Sequence, residues 1–146
     1  MVMRVEWSVR DSQRPWTLSA VVASAAAAGL RVAGLPPVDV HGPLHYLGVM
    51  DPFCGGTRAA FLLLSGDVAG AARYNPMVFP LAAIVAGLLL RAGIGIARRR
   101  WLKVRLPTGW RRALLVALAV AVAILWIRQQ AEAGLLARGW TGAGVS

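Results

Sequence analysis

Three long apolar runs alternate with polar stretches along the chain. The first covers residues 16–35, uncharged from Trp16 to Leu30 and then broken by Arg31. The second covers 77–97 and is interrupted only by Arg91; the third covers 113–128, apolar to Ile127 and closed by Arg128. A membrane-crossing helix needs about 20 mostly apolar residues. The first two runs reach that length, and the third does so once Trp110 and the arginine stems serve as interfacial anchors. The pattern predicts an all-α integral membrane protein with three transmembrane helices, forming one membrane domain over residues 1–146. Ser19, Ala20, Ala23, Ser24, Ala27 and Ala28 give the first span a small-residue face suited to close helix packing in lipid. That run is longer than the apolar core of a signal peptide, so it reads as a retained span.

Residues 36–75 do not read as a plain connector. Gly55-Gly56 permits a tight turn, and Thr57 is placed to cap a short helix over 58–64. Gly66 would end that helix and Asp67 would cap the next, while Asn75-Pro76 is a turn-and-cap signal at the head of the second span. The run 59–64 is too short to cross a bilayer, so short interfacial helices are expected around 51–58 and 67–76.

Composition agrees and adds an orientation. Of 146 residues 58% are hydrophobic and 15% charged, with a mean hydropathy of +0.60. Ordinary soluble domains carry about 25% charged residues, so a globular enzyme and a disordered tail are both excluded. The net charge of +10 comes from 16 basic and 6 acidic residues. Arg98, Arg99, Arg100, Lys103, Arg105, Arg111 and Arg112 fall within 98–112 without one acid. In the loop 36–75, Arg58 and Arg73 stand against Asp39, Asp51 and Asp67. Positive loops stay in the cytoplasm, which puts the N-terminus and 98–112 inside, and 36–75 and the tail 129–146 outside. The basic loop is expected to contact anionic lipid headgroups; nucleic acid is not an expected partner.

Candidate chemistry is confined to the outer loop and one arginine. Cys54 is the single cysteine, so no intramolecular disulfide or dithiol cycle can form. His41 and His45 are four apart, but Gly42-Pro43 argues against the helix that would align them. Arg58 would favour a bidentate carboxylate, with Asp51 and Asp67 as candidates, either as a clamp or as a receptor for an anionic group. Arg91, deep in the second span, either snorkels toward the basic loop or pairs with an acid elsewhere. No catalytic constellation, cofactor site or metal cage is expected.

The run Asp51-Pro52-Phe53-Cys54-Gly55-Gly56-Thr57-Arg58, followed by Gly66-Asp67, Ala71-Ala72 and Asn75-Pro76, resembles DUF2752, a family of small bacterial membrane proteins. The family motif is similar to C-P-x-C-G-x-T-R, then G-D, then N-P, and the resemblance spans about residues 36–95. It implies a bacterial plasma-membrane protein and a topology, but no reaction. Asp51 stands where the family has its first cysteine, which removes the Cys-x-x-Cys pair. The sequence therefore favours a non-enzymatic accessory or scaffold subunit that docks other membrane subunits or its own copies. Two alternatives belong to other classes. One is an outer-face thiol or metal enzyme centred on Cys54 with His41 or His45; the other is an oligomeric transporter of an anionic lipid or small solute.

Overall fold

The computed structural model describes residues 4–34, 49–105 and 107–136. Asp39, His41 and His45, with the readings placed on them, lie outside the described residues. The order of elements is β1 (Arg4–Ser8), α1 (Arg14–Ala33), α2 (Gly56–Leu64), α3 (Val68–Tyr74), α4 (Val78–Arg98), β2 (Trp101–Arg105), α5 (Thr108–Ala131) and α6 (Ala133–Leu136).

The three predicted spans are α1, α4 and α5, each long and apolar enough to cross a membrane. At 1.5 Å per residue, the 21 residues of α4 extend about 31 Å, close to the roughly 30 Å thickness of a hydrocarbon core. Hydroxyls inside α1 are satisfied locally. Ser19 donates to Pro15 O at 3.0 Å and Ser24 to Ala20 O at 2.8 Å, so neither exposes an unpaired group to lipid. Helix α5 begins at Thr108, five residues before the apolar run. An apolar run measures the hydrocarbon-facing part of a helix, whereas backbone hydrogen bonding continues through Trp110, Arg111 and Arg112.

A two-stranded sheet is the element that the sequence did not predict. Strands β1 and β2 pair antiparallel, with Trp7 opposite Leu102, Glu6 opposite Lys103 and Ser8 opposite Trp101. Trp7 and Leu102, directly opposite each other, thus share one face of the sheet.

The chain divides into two compact units, Met1–Ala26 with Leu81–Ala119, and Ala27–Pro80 with Val120–Ser146. The first unit is organised around Arg91. Its Nη2 lies 2.8 Å from Asp11 Oδ1, its Nε donates to Leu102 O at 2.7 Å, and its Nη1 donates to Thr17 Oγ1 at 3.3 Å. The Trp101 ring centroid is 5.6 Å from the guanidinium carbon. Both sequence readings of Arg91 therefore meet in one geometry: the side chain reaches the strand after its helix, and there it pairs with an acid. That acid comes from the turn before α1, where Asp11 also accepts from Gln13 N and Thr17 Oγ1, both at 2.9 Å.

Both partners of the ion pair are about nine-tenths buried. Burial raises the Asp11 pKa, but the Arg91 hydrogen bond, with those from Gln13 and Thr17, outweighs it and holds the carboxyl below its ordinary value. A depressed carboxylate stabilises the fold at any pH above the unfolded value, near 3.9, and the contribution disappears as pH falls through the lower folded value. Asp11→Asn is expected to cost about 3 kcal/mol at neutral pH, because it leaves the Arg91 charge buried without its counter-ion. Thermal unfolding of both proteins from pH 7 to pH 3 checks this, since their difference should narrow only below the ordinary aspartate range.

Candidate functional site: the loop motif and its clamp

Residues 51–56 fold as consecutive tight turns that lead into α2. Asp51 Oδ1 accepts from Phe53 N at 2.7 Å, Cys54 N donates to Asp51 O at 3.1 Å, and Gly56 N donates to Phe53 O at 2.9 Å. Asp51 is thus used by its own turn, as short acidic side chains commonly are. Gly55 has φ +74° and serves as the N-cap of α2, with no side-chain cap. The left-handed residue starts the helix at Gly56, earlier than predicted, so exposed Thr57 is inside the helix and is not its cap.

The helix end was legible. Gly66, with φ +88°, donates to Leu63 O at 3.1 Å and Asp67 N to Leu62 O at 2.9 Å, the two bonds of a Schellman termination. Asp67 then caps α3 by accepting from Gly70 N at 2.7 Å. Helices α2 and α3 close on Ala59, Leu62, Ala71 and Val78. Asn75 also meets its prediction, since its Oδ1 accepts from Met77 N at 3.0 Å, although Pro76 lies in the turn and α4 starts at Val78.

The structure adds a clamp on the motif that sequence reasoning missed. Asn75 Nδ2 donates to Pro52 O at 3.0 Å and to Cys54 O at 3.1 Å. From the end of α5, fully buried Gln129 donates through Nε2 to Cys54 O at 2.6 Å and to Tyr74 O at 3.1 Å. Arg128 Nη2 donates to Ala72 O at 3.2 Å and Arg73 O at 3.0 Å, carbonyls at the end of α3. Gln130 Oε1 accepts from Met50 N at 2.9 Å. Within the described part of the C-terminal stretch, Gln129 and Gln130 therefore bind the loop backbone, and Leu136 of α6 packs against Met50 and Cys54. The only sequence signal was a pair of long amides immediately after an apolar run.

Arg58 is placed differently from its prediction. Its side chain is buried, donates through Nη1 to Leu136 O at 3.3 Å, and lies 5.9 Å from the Tyr74 ring centroid. Asp51 and Asp67 do not pair with it, because both carboxylates serve the turns that they start. The clamp reading of Arg58 therefore gains a different partner, the C-terminal helix. Cys54 is buried with Met50 and Leu136, its Sγ 3.6 Å from Met50 Sδ. Among the described residues no group of three or more His, Cys, Asp and Glu is gathered. The second set of residues singled out in the sequence is elsewhere: Arg98 ends α4, Arg99 and Arg100 link it to β2, Lys103 and Arg105 are in β2, and Arg111 and Arg112 are in the first turns of α5.

Among the described residues three helices are fit to cross a membrane, and the short helices α2 and α3 form a clamped structure ahead of the second of them. Residues 43–89, which include α2, α3 and the first half of α4, match the family described as a protein of unknown function, DUF2752. No curated protein and no solved structure matches the chain.

Proposed function

We propose that this protein is a non-enzymatic accessory or scaffold subunit of a larger membrane assembly, packing against other membrane chains or further copies of itself. The observation that supports this reading is how little of the spans the chain covers by itself. Of the apolar windows in α1, α4 and α5, 6%, 17% and 6% respectively are buried. Helices in lipid are held together by close van der Waals packing and interhelical hydrogen bonds, because lipid tails supply no hydrophobic drive between them. Spans so sparsely covered have that packing still to make. The small-residue face of α1 offers a surface for it.

The loop supports an architectural part as well. Every buried side-chain nitrogen and oxygen among the described residues has a hydrogen-bond partner, so the polar groups of the motif are engaged in holding the loop. In this proposal the protein is a multi-pass component of a bacterial plasma membrane. The basic side faces the cytoplasm and the clamped loop faces outward, in line with the positive-inside rule. Its partners are membrane lipids and membrane subunits; nucleic acid has no part in it.

The test is isolation in mild detergent at native expression, for the wild type and for Cys54→Ser. An accessory subunit should co-purify with a defined membrane partner, or as a defined oligomer, in both. Loss of the assembly or of an associated activity in Cys54→Ser, with the fold retained, would favour the thiol-enzyme alternative.

A further inference from the structure

Charge is divided very unevenly between the two compact units. The unit formed by Met1–Ala26 and Leu81–Ala119 holds eleven basic residues against Glu6 and Asp11, a net of +9. The other unit holds five basic against four acidic residues, a net of +1. Within the basic unit, Asp11 is consumed by Arg91, and Glu6 stands opposite Lys103 in the sheet. The exposed Arg98, Arg99, Arg100, Arg111 and Arg112 are thus left without an acidic counterweight in the unit.

Chain connectivity fixes where this charge can be. Strand β2 is joined to α4 through residues 99–100 and to α5 through 106–107. Two residues reach about 7 Å at full extension, similar to the depth of one headgroup layer, about 5–8 Å. With α4 and α5 in the bilayer, β2 cannot rise clear of the headgroups, and β1 is hydrogen-bonded to it along its length. The sheet also carries interfacial chemistry. The Trp7 ring, 47% exposed, has the Arg98 guanidinium carbon 6.0 Å from its centroid, and exposed Trp110 directly precedes Arg111. Tryptophan beside arginine is suited to the level where acyl chains meet phosphates. A second strain points the same way. Arg111 and Arg112 lie at the start of α5, where the helix dipole is already positive and no acidic residue is present. Cations are disfavoured at that end and an anion is favoured.

We propose that the β1–β2 sheet, with the end of α4 and the start of α5, is an interfacial platform that selectively binds the phosphates of anionic phospholipids. The platform draws phosphatidylglycerol-type headgroups against Arg98, Arg99 and Arg100 on one side of β2 and against Arg111 and Arg112 on the other. The apolar face of the sheet, which carries Trp7 and Leu102, rests toward the acyl boundary. This goes beyond the scaffold reading and does not depend on it, since a monomer would bind lipid in the same way.

The test uses the full chain reconstituted in phosphatidylcholine vesicles containing trace spin-labelled lipid. The ratio of motionally restricted phosphatidylglycerol to restricted phosphatidylcholine reports selectivity at the protein surface. The expected wild-type ratio is at least about threefold, falling at high ionic strength. The triple change Arg98→Gln, Arg99→Gln and Arg100→Gln should bring the ratio close to one, while the same positions changed to Lys should keep most of it. Arg111→Gln with Arg112→Gln, which leaves the sheet and its links intact, should lower it in part. A wild-type ratio near one overturns the proposal, as does a ratio that the glutamine changes leave untouched. Loss of selectivity on adding millimolar inorganic phosphate at constant ionic strength would assign the site to a soluble anion. Its loss on adding a short RNA would assign it to nucleic acid. Either result overturns the lipid assignment.

Discussion

Gln129→Glu is expected to be among the most damaging single-atom-scale changes in this chain, lowering stability by about 3–5 kcal/mol. Gln129 is fully buried, and its amide nitrogen donates to two carbonyls, those of Cys54 and Tyr74. Glutamate keeps the shape but replaces the donor with an oxygen facing both acceptors. The other carboxylate oxygen retains Arg128 Nη1, which lies 3.1 Å from Gln129 Oε1 in the native protein, so the charge is only partly compensated. Gln129→Leu removes the donor without adding a charge and should cost less, about 2 kcal/mol. Heating in mild detergent, followed by the fraction of protein still monodisperse, gives the order wild type, Leu, Glu. If Glu is tolerated as well as Leu, the amide is not the lock on the motif.

Gly55→Ala is the second large effect. The residue sits at φ +74°, where a non-glycine residue costs about 1–2 kcal/mol. An added Cβ would also meet Leu136 Cδ2 at 2.8 Å and Tyr74 O at 3.2 Å. Overpacking of this kind typically adds about 1–3 kcal/mol, so a total near 3 kcal/mol is expected. The relief available is movement of α6, which would uncover the buried thiol next to it. Maleimide should therefore label Cys54 slowly in the wild type and much faster in Gly55→Ala under native conditions. Equal labelling rates would mean that α6 does not seal the motif.

These two residues mark where the sequence was readable and where it was not. Spans announce themselves because hydrocarbon demands continuous apolar length, and α1, α4 and α5 were visible for that reason. Local caps were readable at Gly66, Asp67 and Asn75, because each acts on backbone two to four residues away. Thr57 misled because Gly55, a stronger determinant two residues earlier, set the helix start. Arg58 misled for a different reason: the carboxylates nearest in sequence were assumed nearest in space, whereas Leu136 O lies 78 residues away. The Arg91–Asp11 pair has the same character, at a separation of 80 residues. The sheet escaped because its five-residue strands alternate apolar and polar residues within stretches that read first as charge. Gln129 and Gln130 escaped because polar residues after a span ordinarily face water, and only the folded loop shows the carbonyls that they meet.

Under the proposed scaffold role, this chain completes its packing with other chains. Its most direct test is the number and identity of polypeptides in single native-membrane discs excised with a solubilising polymer and weighed one particle at a time. Discs are expected in which the 15.5 kDa chain is accompanied by a defined partner or by a fixed number of its own copies. A population of discs holding one chain of this protein and lipid alone would contradict that role.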